Sequence, residues 1–170
     1  MRNDRAGTLF GTKIVSSLSL KQKINILRKK GKRMVFTNGC FDILHFGHIQ
    51  YLQDAKNKGD YLVVAVNSDS SVKRIKGSTR PIICQSDRLK TIAALSSVDF
   101  VVLFNEDTPL KLIKALRPDI LVKGADWDKK KIVGSDFVEN YGGKVVTVRL
   151  TQGRSTSALI EKIVRNFARK

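Results

Sequence analysis

The two histidines of this chain, His45 and His48, lie three positions apart in the segment Thr37-Asn38-Gly39-Cys40-Phe41-Asp42-Ile43-Leu44-His45-Phe46-Gly47-His48. An apolar run precedes the segment and an amphipathic one follows it, so it reads as a strand-to-helix turn. Two imidazoles, a glycine that lets backbone come close, and the free N–H groups of a helix start together suit anionic phosphate oxygens. The chemistry this favours is stabilisation of charge on a phosphorus centre. Ligation of a metal by the histidine pair with Asp42 is the competing reading, but no Cys-x-x-Cys and no third histidine accompanies them.

Three further groups point to the same chemistry. Lys76, Gly77 and Arg80, with Lys73 and Arg74 just before them, follow the second strand pattern and read as a basic loop able to close over a polyphosphate. A merely solvated charge run has the same composition. Ser155, Thr156 and Ser157 open the last helical pattern, where hydroxyls serve first as caps and then, with the free N–H groups, as phosphate ligands. Arg88 stands in the first turn of a helical pattern behind Ser86, where a cation opposes the helix dipole, and a bound anion would relieve that conflict.

These groups need a scaffold. Apolar runs at Met34–Thr37, Tyr61–Val66, Phe100–Phe104, Ile120–Val122 and Val145–Val148 read as five strands. Helical patterns alternate with them. One is capped by Ser19 and ended by Gly31; others run His48–Lys58, Asp87–Leu95, Leu110–Leu116 behind a Thr108 cap, and Asp136–Tyr141. The last carries a wide apolar stripe, Leu159, Ile160, Ile163, Val164 and Phe167, after Ser155 or Thr156 as cap. Strict alternation implies an α/β domain, a doubly wound five-stranded parallel sheet with helices on both faces. Ligands bind such sheets beyond the carboxyl ends of the strands, which is where the histidine turn falls. Residues 1–17 show no periodicity and are expected to be a tail, with one domain over 18–170.

Composition bounds the rest. A chain of 170 residues with 42% hydrophobic and 28% charged residues is expected to fold around its own core without staples. Cys40 and Cys84 are too few and too far apart for a disulfide framework, which points to a reducing compartment, and no apolar run approaches membrane-spanning length. A soluble, cytoplasmic protein is expected. The net charge of +17 calls for an anionic partner, but no aromatic platform or groove-reading motif favours nucleic acid. The absence of Gly-x-Gly-x-x-Gly after the first strand disfavours a dinucleotide oxidoreductase, and the absence of Gly-x-x-x-x-Gly-Lys-[Ser/Thr] a P-loop enzyme.

The run Gly39-x-Phe41-Asp42-x-x-His45-x-Gly47-His48 resembles the His-x-Gly-His signature of the cytidylyltransferase-like nucleotidyltransferases, whose fold is Rossmann-like. Val66-Asn67-Ser68-Asp69, Lys73-Arg74-x-Lys76-Gly77-x-x-Arg80-Pro81, Glu106-Asp107-Thr108-Pro109 and Leu121-Val122-Lys123-Gly124 are similar to the group within it that adenylylates heptose 1-phosphate. The likeness runs from about Lys13 to the C-terminus. It implies ATP and a sugar 1-phosphate as substrates, ADP-heptose for lipopolysaccharide core as product, Mg²⁺ bound with the triphosphate, a separate heptose kinase upstream, and a homodimer as in many relatives. It further implies His45, His48 and Lys76 as catalytic residues. Asn38, Gly39, Phe41, Asp42, Arg80, Arg88, Lys123, Asp126, Ser155, Thr156 and Ser157 would line the nucleotide or sugar pocket. Ala125 stands where the heptose group has a second glycine, Arg154 where relatives carry a small or apolar residue, and Trp127 suits pocket or packing equally. Glycerol-3-phosphate and ethanolamine-phosphate cytidylyltransferases share the signature, and a non-catalytic nucleotide-binding module is the alternative outside enzymes.

Overall fold

The computed structural model describes residues 11–125, 131–149, 151 and 153–168. Among these the elements run α1 (Ser17–Lys29), β1 (Met34–Gly39), α2 (Phe46–Lys56), β2 (Tyr61–Asn67), α3 (Asp69–Lys76), α4 (Gln85–Ala93), β3 (Phe100–Phe104), α5 (Leu110–Leu116), β4 (Ile120–Gly124), α6 (Ser135–Asn140), β5 (Lys144–Val148) and α7 (Thr156–Phe167). The strands form one parallel sheet of order β3-β2-β1-β4-β5. The doubly wound architecture is thus present, and the order reverses between β1 and β4.

Alternate residues of each strand face opposite sides, and each side is covered by helices. Met34 and Phe36 of β1 with Val63 and Ala65 of β2 pack under α1, α5 and α6 through Leu20, Ile24, Ile113 and Val138. Val35, Leu62 and Val64 pack against α2 and α4 through Leu52, Ala55, Ile92 and Ala93. The β1–β2 ladder runs the full length of β1, to Gly39 opposite Val66, whereas the β1–β4 ladder ends at Phe36 opposite Leu121. Beyond that point the carboxyl ends of β1 and β4 are not paired with each other, and a crevice opens at the switch point.

Several boundaries differ from the sequence reading. Ser16, not Ser19, caps α1, its Oγ accepting the N–H of Ser19 at 3.2 Å. Pro109 rather than Thr108 occupies the cap position of α5. Part of the expected tail is bound to the sheet: Ile14 bridges Val101 in parallel, and Val101 N–H donates to Lys13 O at 2.8 Å. Backbone pairing is available there because β3 is an edge strand. The stretch read as a basic loop begins as a helix, α3. Ser68 caps it by accepting the N–H of Ser71, Asp69 complements the dipole in its first turn, and Gly77 ends it at φ +95°.

Candidate active site

The turn after β1 is shaped by its own residues. Phe41 adopts φ +48°, in the left-handed region that a bulky residue rarely occupies, and its ring is buried. A Cβ on Gly39 would stand 3.1 Å from that ring and would press it out of place. His45 ends the turn at the cap position of α2 and His48 lies in its first turn. Their rings stack with centroids 3.9 Å apart, while Phe41 meets His48 edge-on at 5.5 Å. Gly47 permits the stack, because a Cβ there would come within 3.1 Å of His45 Nδ1 and Cε1. One turn further along α2, Tyr51 Oη lies 2.6 Å from Thr37 Oγ1 and donates to Val122 O at 3.2 Å, pinning the helix to β1 and β4.

Burial, reinforced by His45, pushes the pKa of His48 down to about 4. Burial and then Arg154 lower that of His45. Both shifts favour the neutral imidazole, which has one N–H donor and one acceptor nitrogen. The Nδ1 atoms of both rings and Oδ1 of Asn38 are buried without a hydrogen-bond partner among the described residues. Three orphaned polar atoms around a single turn mark a place that a ligand completes.

A cavity of about 640 Å³ opens over this turn. Asn38, Gly39, Phe41, Asp42 and His48 line it from the β1 side, and Lys76 and Arg80 from α3 and the segment after it. Lys123 of β4 and Thr156 and Ser157 of α7 close the other flank. Lys123 Nζ donates to Asn38 O at 3.3 Å across the crevice. Ser155 Oγ accepts the N–H of Ala158 at 3.1 Å and is the cap of α7, so the hydroxyls that reach the cavity are those of the next two residues. Thr156 Oγ1 also donates to Ile43 O at 3.5 Å, tying the start of α7 to the histidine turn.

Two residues stand differently from the sequence expectation. Arg88 does not line this cavity: its side chain is fully buried and donates to Ile83 O, Cys40 O and Asp69 Oδ1. The anion that answers its place in the first turn of α4 is Asp69 of the protein itself. His45 stacks on His48 and is likewise not among the lining residues. Asp126 and Trp127 lie outside the described residues.

Other lining residues had no site role in the sequence reading. Asn67 ends β2, Asp107, Thr108 and Pro109 follow β3, and Ile132 and Val133 follow β4. Their place after strand ends was the available signal. Cys40 also lines the cavity, and burial raises its pKa despite Lys76, Arg88 and Arg80, which leaves a thiol rather than a thiolate nucleophile. The carboxylates at the cavity are engaged: Asp42 by Arg80, Ile82 and Ile83, and Asp107 by Arg74 at 2.6 Å. Among the described residues no three His, Cys, Asp or Glu side chains gather as a metal-ligand set.

A family model described as Cytidylyltransferase-like matches residues 36–167, from β1 to the end of α7. The chain belongs to the cytidylyltransferase-like family. As a member it is a nucleotidyltransferase. The chain is 59% identical over 146 residues to the "Bifunctional protein HldE" of Campylobacter fetus subsp. fetus, covering 86% of this chain and 31% of that protein. It is 51% identical over 158 residues to the protein of the same name in Syntrophotalea carbinolica, covering 93% and 32%. It therefore spans about a third of the length of these curated relatives. A lipopolysaccharide core biosynthesis protein from Thermoplasma volcanium superposes with TM-score 0.60 at 36% identity, over 73% of this chain and all of that one. A pantoate-beta-alanine ligase from Francisella tularensis does so at 0.59 and 17% identity, over 85% and 68%, a likeness of fold. No helix among the described residues is long and apolar enough to cross a membrane.

Proposed function

We propose that the chain transfers AMP from ATP to D-glycero-D-manno-heptose 1-phosphate, the β anomer, giving ADP-heptose and pyrophosphate for lipopolysaccharide core. The observation that carries the phosphate chemistry is the unpaired Nδ1 pair of His45 and His48 at a turn whose cavity also holds Lys76, Arg80 and the start of α7. The similarity to HldE proteins and the heptose-group motifs favour this acceptor.

An oxygen of the sugar phosphate attacks the α-phosphorus in line, the bond from that phosphorus to the bridging oxygen breaks, and pyrophosphate leaves with the electron pair. The nucleophile is already anionic, so no general base is required and catalysis rests on orientation and charge stabilisation. His48, backed by His45, donates to oxygens around the α-phosphorus. Lys76 has no carboxylate partner among the described residues, and with Arg80 it offsets the charge growing toward the leaving pyrophosphate. Thr156, Ser157 and the free N–H groups of α7 hold the outer phosphates, capped in place by Ser155. Asn38, Gly39, Phe41 and Lys123 shape the pocket. Asp42 and Asp107 at the cavity are paired with arginines, so Mg²⁺ would be held by the triphosphate itself and would offset its charge there. A kinase activity supplies the heptose 1-phosphate, the enzyme works in the cytoplasm, and two copies associate.

The test is a matrix assay of pyrophosphate release: ATP, CTP, GTP and UTP with Mg²⁺ against heptose 1-phosphate of either anomer, glycerol 3-phosphate and ethanolamine phosphate. Activity confined to ATP with the β heptose phosphate is expected. Activity with CTP and glycerol 3-phosphate or ethanolamine phosphate, or none in any pairing, overturns the proposal.

A further inference from the structure

Arg88 is the largest fully buried side chain among the described residues, and each of its donors ends on a different segment. Nε donates to Ile83 O at 2.9 Å in the connection between α3 and α4, Nη1 to Cys40 O at 2.5 Å in the histidine turn, and Nη2 to Asp69 Oδ1 at 2.7 Å in the first turn of α3. Asp42 ties the same pieces in the opposite sense. Its carboxylate, 1% exposed, accepts the N–H of Ile82 at 2.8 and 3.0 Å and that of Ile83 at 2.8 Å. It also holds Arg80 Nε at 2.6 Å, an ion pair whose geometry falls short of a hydrogen bond.

Lys76 and Arg80 stand in the stretch that these contacts clamp. Lys76 ends α3, whose first turn Arg88 grips, and Arg80 leads into Pro81-Ile82-Ile83, whose backbone Asp42 and Arg88 hold from either side. A planar guanidinium reaches three acceptors in three directions, which an ammonium on a flexible stem does not reproduce. Without it, two carbonyls and a carboxylate lose a charged donor at once.

We propose that Arg88, together with Asp42, is a positioning residue for nucleotidyl transfer: it touches no reacting group and acts by fixing Lys76 and Arg80 against the histidine turn. This rests on the proposed function for the reaction it serves, not for the clamp itself.

The experiment compares the full chain with Arg88→Lys, Arg88→Met, Lys76→Ala and the double variant Lys76→Ala/Arg88→Met, by pyrophosphate release and by amide hydrogen exchange. Both Arg88 variants are expected to lose about tenfold or more in kcat/KM, with lysine no better than methionine. In the Lys76→Ala background the loss shrinks but does not vanish, because the part that acts through Lys76 is already gone while Arg80 is still released. The amides of Ile82 and Ile83 exchange about tenfold faster while β1 and β2 keep their protection. Rescue by lysine to within about threefold of wild type marks a direct charge contact with the substrate and overturns the inference. Undiminished loss in the double variant, or unchanged exchange at Ile82 and Ile83, overturns it as well. If both Arg88 variants fail to fold, Asp69→Ala removes one acceptor from a partly exposed position and carries the same exchange test. Exchange needs no substrate, so a wild type that releases no pyrophosphate overturns the proposed function, and a rigid 82–83 segment in the variants overturns the clamp.

Discussion

The histidine turn and the basic segment from Ser68 to Arg88 face each other across one cavity, and they are built in opposite ways. The turn is held by neighbours in sequence: Gly39 clears Phe41, Gly47 clears His45, and His45 stacks on His48. The basic segment is held by bonds between distant positions, Arg88 to Asp69 and to Cys40, and Asp42 to Ile82 and Ile83. A site whose donors come from a short-range unit is fragile at single residues within it. One whose cations are aimed by long-range contacts fails when any of the distant partners is removed.

The largest break in this comparison is expected in the turn. His48→Ala and His45→Ala should each lower turnover about a hundredfold, the loss of one preorganised donor, read by pyrophosphate release. Gly47→Ala should cost about tenfold in turnover by displacing the His45 ring, with the helix itself retained, since alanine favours helix over glycine. A preserved thermal transition would separate that ring effect from unfolding. Tyr51→Phe removes a hydroxyl shared by Thr37 and Val122 O, and should lower stability by about 1 kcal/mol in denaturant unfolding.

Acid sharpens the comparison further. His48 has a pKa near 4 in the fold against 6.5 as a free side chain, so between those values the unfolded chain binds the proton and the native one does not. Stability is therefore full above about pH 6.5 and declines as pH falls toward 4, and His48→Gln should flatten that decline in a series of thermal melts. The smallest effect is expected on α7, where Val164 is 56% and Phe167 74% exposed and no residue of the helix is buried. Phe167→Ser should change stability by no more than about 0.5 kcal/mol in denaturant unfolding of the isolated chain.

Much of this architecture was legible in the residues. Five apolar runs alternating with helical patterns were enough for the doubly wound sheet, because burial on both faces imposes continuous hydrophobic strands. The histidine turn was legible because its meaning is local. Two imidazoles and two glycines at fixed spacing after a strand dictate a close-approach turn at a helix start, wherever the remaining chain goes. The short helix α3 escaped notice because Val72 is its only buried apolar residue and its cations resemble a solvated loop. The stripe of α7 has the opposite lesson: a strong helical pattern said nothing about how much of it this chain covers.

What the sequence determined alone was the order of elements and the strand-to-helix turn beside the cavity, both set by neighbours within a few residues. Tertiary structure decided the role of Arg88. Its position at a helix start signalled only a cation in need of an anion, and the choice between a bound phosphate and Asp69 depends on side chains brought together from Cys40, Asp69 and Ile83, which no local pattern encodes.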